Sequence, residues 1–468
     1  MKGIPSAPPY NWTFYRELYP ELHGLTTQQA QQHYFDVGAD EGRLAAPPTL
    51  KVVYATSGGL CNQLYHHLHA FMMARALAAG GALPASAAGT AIVLPPALHR
   101  RSFGDSPYGR GPAERAAAWR QAPIGTLLDV GSMQAYWAAR GLELLPTPDI
   151  VPRNPFVSDW LGRRRAGMSQ PQRLAHNHTQ QAQQQKKAEQ AQQEMYRTDW
   201  LSYRAGGRCL AASVAEQLQK DQRAMSRMLA PLHRYTRGAR DAILTAAKPV
   251  LIGDPGNQIP CVYLWHGGTL FALNTSGLRG VAAEAARGVF FNRTIVALAD
   301  QILAAMDPGS RGFNGLHLRL EKDVAAWHQG AGGMEGALQS FLDGMKAAKF
   351  ADRSTLYVAS GMLSYNASRE WLTIETKIEA LGLAEQIAYK ERFLRASQLA
   401  GLHSEQLALI DFLVLLKSQR LCGLAESSFS YLLVEMRALQ GRPKSTAVLI
   451  NPGSSARTLF RFGGQLSN

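Results

Sequence analysis

Phe313-Asn-Gly-Leu-His-Leu-Arg-Leu-Glu-Lys-Asp323 alternates in residue type with a period of two. In a strand, Leu316, Leu318 and Leu320 share one face, and His317, Arg319, Glu321 and Asp323 share the other. The apolar side packs, and the titratable side is left for something that can use it. In open α/β sheets the carboxyl ends of parallel strands border a ligand crevice. A fixed arginine there holds a phosphate through paired N–H donors, and a neighbouring histidine adds a hydrogen bond. By pattern alone the same residues also read as a half-buried strand whose arginine and glutamate pair at its end.

Strands and helices alternate on both sides of this stretch. Upstream, residues 51–56 read as a buried strand and Ser57-Gly58-Gly59 as a tight turn. Residues 60–77 read as a helix with Leu64, Leu68, Phe71, Met72 and Arg75 on one stripe. A strand, a glycine turn and a helix start bring free N–H groups and a positive dipole end together, which suits a diphosphate and makes Gly58 and Gly59 candidates. His66, His67 and His69 lie on that helix; a metal site needs a third ligand of matching geometry, so they read as a solvated face. Further elements are expected at 91–94, 126–130, 215–232, 249–252 and 289–306. Residues 161–195, Arg-rich and then Gln-rich with few bulky apolar side chains, read as a surface insertion rather than core.

Downstream, a helix is expected over 333–349, a strand over 354–360 and a helix over 371–381. A largely buried helix over 404–417 follows, with Asp411 the only charge inside its apolar run. A strand at 420–424, the polar turn Glu426-Ser427-Ser428-Phe429-Ser430 and a helix at 431–439 complete the pattern. This alternation predicts an α/β chain with two halves, and a cleft between them as the default ligand site. The divisions are residues 1–48, 49–308 and 309–468. Residues 10–43 form a small helical unit: Tyr15, Leu18, Tyr19 and Leu22 have helical spacing, Thr26 or Thr27 can cap a second helix, Gly38 and Gly42 close it, and Pro47-Pro48 link onward.

The net charge of +14 invites a nucleic-acid reading, but only Arg163, Arg164 and Arg165 cluster, without interleaved aromatics or a zinc-finger or RNP-like signature. No nucleic-acid partner is expected; attraction to an anionic nucleotide sugar or acidic glycan explains the sign. Cys61, Cys209, Cys261 and Cys422 form no CxxC pair, which argues against a structural zinc site and leaves three disulfide connectivities open. Sequons at Asn11, Asn177, Asn274, Asn292 and Asn366 favour a secretory compartment. No signal peptide or run of about 18 apolar residues is present, so a membrane link is expected only through an anchor outside this sequence.

Three stretches, in order, resemble the GDP-fucose protein O-fucosyltransferase superfamily, especially its plant and algal branch. They are Ser57-Gly-Gly-Leu-Cys-Asn-Gln63, Gly315-Leu-His-Leu-Arg-Leu-Glu-Lys-Asp323, and Leu415-Leu-Lys-Ser-Gln419 with Gly423-Leu-Ala-Glu-Ser-Ser-Phe-Ser430 and Glu435-Met-Arg437. The resemblance spans about residues 51–450. The unit at 10–43 resembles a short helical module found beside glycan-processing domains.

The superfamily resemblance implies a GT-B fold, two Rossmann-like domains facing across a cleft, here with the small N-terminal helical module. It implies an inverting, metal-independent transfer of fucose from GDP-fucose to a protein or glycan hydroxyl in the Golgi or endoplasmic reticulum lumen. Arg319 would grip the β-phosphate, His317 the nucleotide, and Asn62 the diphosphate or fucose from the opposite domain. Ser427, Ser428 and Phe429 would meet phosphates and sugar at a helix N-terminus. Asp323 and Asp411 would serve ribose, base or the orientation of Arg319, and Glu321 would act as base or as partner of Arg319. No DxD sequence occurs, so no metal or other cofactor is expected. The same fold also serves UDP-rhamnose-dependent, pectin-type rhamnosyltransferases, and an inactive glycan-binding scaffold would keep it too. Cys61, Leu64 and the continuation Val324-Ala-Ala-Trp-His328 depart from the superfamily's usual residues.

Overall fold

The computed structural model describes residues 12–38, 41, 43, 49–56, 58–79, 90–100, 119–146, 209–213, 261–269, 279–306, 309, 311–321, 332–350, 354–363, 367–425 and 427–451. The Gln-rich stretch, the elements expected at 215–232 and 249–252, and Asp323 lie outside them.

The N-terminal unit is two short helices, α1 (Trp12–Leu18) and α2 (Thr27–His33), around a small aromatic core of Tyr15, Tyr19 and Tyr34. Thr26 is the N-cap of α2 and forms a capping box with Gln29. Tyr15 and His33 share a 3.0 Å hydrogen bond, while Arg43 pairs with Glu21 at 2.6 Å and Glu41 at 2.5 Å and lies over the Tyr19 ring. A side chain on Gly38 would overlap the Tyr15 hydroxyl, so the close approach of the two segments requires glycine.

The α/β expectation holds. The first sheet contains β1 (Thr49–Ala55), β2 (Thr90–Leu94), β5 (Leu142–Pro146), β6 (Cys209–Ser213) and β7 (Cys261–Thr269) in the order β5-β2-β1-β7-β6, every pairing parallel. A side hairpin, β3 (Ala97–Arg100) with β4 (Trp119–Ala122), is antiparallel. The second sheet contains β8 (Phe313–His317), β9 (Thr355–Ala359), β10 (Gln386–Ala388), β11 (Arg420–Leu424) and β12 (Ala447–Ile450) in the order β10-β9-β8-β11-β12, also all parallel.

Helices α3 (Leu60–Ala79), α4 (Val130–Ala138), α5 (Arg279–Arg287), α6 (Arg293–Met306), α7 (Gly333–Ala347), α8 (Ser368–Ala380), α9 (Ser404–Leu416) and α10 (Ser428–Leu439) cover the sheets. Asp129 caps α4 by accepting from the Ser132 N–H and hydroxyl, and Arg293 donates to it at 2.6 Å.

Two expectations are corrected. Residues 279–306 are two helices rather than one starting at 289. Asn292 stops the chain between them: its Oδ1 accepts from the N–H groups of Thr294 and Ile295 and its Nδ2 donates to Gly125 O at 2.7 Å. That sequon nitrogen is thus committed to the fold. The histidines of α3 are not a solvated face: His66, His67 and His69 are all buried, because α3 is enclosed by the first sheet, α5, α9 and α10. His67 Nδ1 pairs with the Tyr54 hydroxyl at 2.6 Å, and His66 Nδ1 donates to the Asn62 carbonyl at 2.5 Å. Cys61 and Cys422 are buried free thiols.

Candidate functional site

On an open parallel sheet the ligand position lies beyond the carboxyl ends of the two strands where the strand order reverses. In the second sheet those strands are β8 and β11, paired through Leu316 and Cys422. β8 ends at His317 and β11 at Leu424, so the sheet brings the central motif and the polar turn together from about 100 residues apart.

The strand expected along the whole alternating stretch ends at His317, and residues 318–321 continue beyond it without regular structure. Leu316, Leu318 and Leu320 are buried in one apolar cluster with α7. His317 and Glu321 are also buried, however, and Arg319 is half-buried, so their face is enclosed rather than open.

His317 is held on two sides. Its ring stacks on Phe429 with centroids 4.3 Å apart, and its Nδ1 is 2.6 Å from the Ser430 hydroxyl. That hydroxyl also accepts from the Leu424 N–H at 3.0 Å; where it donates its own hydrogen to Nδ1, the neutral ring carries its proton on Nε2. Burial lowers the His317 pKa to about 3, against the opposing pull of Glu321, and the imidazole is neutral. Ser430 reaches this position because Gly423 lacks a side chain; a Cβ there would stand 2.6 Å from its oxygen.

Arg319 is oriented by Glu321 at 2.6 Å. Glu321 in turn accepts from the Gly361 N–H at 2.5 Å and the Ser360 hydroxyl at 3.3 Å, both just beyond β9. Burial alone would raise this carboxyl, but Arg319 and the Gly361 N–H outweigh it and hold it below the ordinary glutamate range.

Ser427 is the N-cap residue of α10, yet its side chain makes no capping hydrogen bond, so the first-turn N–H groups there are not answered by it. Ser428 opens the helix. Phe429 also packs edge-on against Phe412 of α9.

Asp411 sits apart from this cluster. Its carboxylate accepts from the Tyr357 hydroxyl at 2.7 Å and Lys390 Nζ at 2.8 Å, between α9 and β9. Burial raises it to about 6 against the pull of Lys390. Arg319 is thus oriented by Glu321, and the charge inside the apolar run of α9 serves a buried ion pair.

The first sheet supplies the glycine turn after β1. Gly58 has φ +73°, and the Asn62 amide folds over it closely enough to leave no room for a side chain. Gln63, quoted in the motif but given no role from sequence, pins α3 to β3. It donates to Gly58 O at 3.1 Å and Leu98 O at 2.8 Å, and accepts from the Leu98 N–H at 2.9 Å.

Ser430, Ser360, Gly361 and Lys390 were likewise not singled out. Their signal is positional: each lies within a few residues of a strand's carboxyl end. Arg437 of the third motif is structural. It is buried and donates to Ser418 Oγ at 2.7 Å, Gln419 O at 3.1 Å and Leu415 O at 3.3 Å, answering carbonyls at the end of α9.

The chain is similar in structure to POFUT1 in complex with GDP-fucose, at 12% identity over 86% of this chain and 98% of that one, with a TM-score of 0.42. An Arabidopsis thaliana FUT1 variant in complex with GDP is similar at 11% identity, 91% and 76% coverage and a TM-score of 0.39. NodZ alpha-1,6-fucosyltransferase soaked with GDP-fucose is similar at 10% identity, 84% and 92% coverage and a TM-score of 0.37. No curated protein sequence matches the chain. The family model for GDP-fucose protein O-fucosyltransferases matches residues 52–440, which takes in all three motifs and, apart from β12 and the first residues of β1, the strands of both sheets. This chain is a glycosyltransferase belonging to the GDP-fucose protein O-fucosyltransferase family.

Proposed function

We propose that the protein transfers fucose from GDP-fucose to a hydroxyl of a protein or glycan acceptor, with inversion at the anomeric carbon, in the secretory pathway. The two sheets would be the Rossmann-like halves of a GT-B enzyme, with the donor held mainly by the second. The observation that carries this reading is the cluster at the β8–β11 reversal, where an oriented arginine, a neutral histidine and a helix start without a side-chain cap meet.

Departure of GDP builds negative charge on the β-phosphate while the sugar becomes oxocarbenium-like. A preorganised cation at that oxygen lowers the barrier without reorganising during the reaction. Arg319 is that cation, aimed by Glu321. His317 contributes Nε2–H as a neutral donor to the nucleotide, and Ser427, Ser428 and Phe429 present the dipole end of α10 to the phosphates. Gly58, Gly59 and Asn62 contact the donor from the first half, with Asp323 a further candidate. With Arg319 in the cation's place, the transfer needs no divalent metal.

Calorimetric titration with GDP and with UDP, without divalent metal, tests the proposal on the wild type and on Arg319→Ala. GDP is expected to bind more tightly than UDP, and the variant to lose most of that binding. Turnover in the variant is expected to fall about 100- to 1000-fold. Preference for UDP would replace fucose by rhamnose, and binding of neither would leave a scaffold.

A further inference from the structure

We propose that Arg100 is a second cation of the donor site, contributed to the diphosphate by the first half of the molecule; the inference rests on the donor reading above. Arg100 ends β3, and its main chain is anchored. The N–H donates to Ser404 Oγ at 3.1 Å and to the Glu405 carboxylate at 2.9 Å, both at the start of α9. The side chain leaves across Trp119, its register partner in β4, with the guanidinium carbon 5.6 Å from the ring centroid.

This route carries the guanidinium to the glycine turn. Nη2 lies 3.9 Å from the point where a Cβ on Gly59 would stand. Arg100 thus comes from another strand to within van der Waals reach of the Gly59 position, beside the positive end of α3.

Two oxygens flanking the same turn point to a ligand independently. The Thr56 hydroxyl, on a residue 1% exposed, and Asn62 Oδ1 are both buried with no hydrogen-bond partner. Buried polar atoms left unanswered are costly, and their presence calls for a partner that arrives from outside the protein. Thr56 can donate to an anionic oxygen, and Asn62 Oδ1 can accept from a sugar hydroxyl. A cation, a helix start, one hydroxyl donor and one amide acceptor together match a phosphate ester of a sugar. A simple anion would use only the first three.

Because α9 holds Arg100 through its main-chain N–H, replacing the side chain leaves that anchor in place. Calorimetry of the full chain with GDP and with guanosine, on wild type, Arg100→Ala and Arg100→Lys, tests the assignment. Arg100→Ala is expected to weaken GDP binding about 10- to 100-fold and to leave guanosine binding unchanged. Arg100→Lys, which keeps the charge but loses the planar fork, is expected to fall between. GDP affinity in Arg100→Ala equal to that of wild type, with an unchanged melting curve, overturns the inference and leaves the donor reading standing. A wild type that binds GDP no better than guanosine overturns both. If the alanine variant melts early, the lysine variant decides alone: loss of GDP binding without loss of guanosine binding supports the role, and unchanged GDP binding refutes it.

Discussion

Glu321 is a carboxylate beside Arg319, the cation proposed for the β-phosphate, a position that invites a general base. A useful base needs a pKa near working pH. Glu321 is instead held below the ordinary glutamate range and accepts from Arg319, Ser360 and Gly361. Its work is to aim Arg319. Glu321→Gln should lower turnover about 10- to 100-fold through misplacement of that cation. The acidic limb of the pH–rate profile should stay where it is in the wild type. Disappearance of that limb in the variant would identify Glu321 as the base after all.

At the scale of elements, the site depends on how closely α10 approaches β11. Gly423 lets Ser430 sit against the strand, and Ser430 fixes the His317 ring. Gly423→Ala should therefore cost about 1–3 kcal/mol of stability through overpacking, read from denaturant melts. It should also weaken GDP binding, because His317 loses its anchor. A variant destabilised to that extent but binding GDP normally would show that Ser430 is not what positions the histidine. α9 is the other organising element. Its start meets the β3 end through Glu405, its middle buries Asp411 against Lys390, and its end is closed by Arg437. Three charged residues, Glu405, Asp411 and Arg437, thus hold one helix in place.

The whole molecule buries histidines in a way that sets its acid stability. His66 is lowered to about 4, and His67 and His317 to about 3, each chiefly by burial. The unfolded chain protonates them near 6.5, so the stability they confer is complete above that pH. It is lost as pH falls toward 4, because the unfolded state binds more protons. Asp411, raised to about 6 by burial, takes its proton earlier in the folded state and offsets one histidine. Near pH 5 these four groups contribute a difference of about two protons, a slope of roughly 2.7 kcal/mol per pH unit. Denaturant midpoints measured from pH 7 to 5 should fall accordingly, and a flat profile would mean that these histidines are accessible to protons when folded.

Period and punctuation were enough to read the α/β class, the strand at 420–424, the helix at 404–417 and the Leu316, Leu318 and Leu320 face, because local backbone preference and burial agree there. The motifs were enough to read the family. Tertiary structure alone decided which polar residues meet. His317 finds Ser430 and Phe429 only because parallel pairing sets β8 beside β11, and Arg100 nears Gly59 only through the side hairpin. The α3 histidines were misread for the same reason. Periodicity identifies a helix but does not say how many partners enclose it, and here neighbours distant in sequence turned an expected solvent face into core.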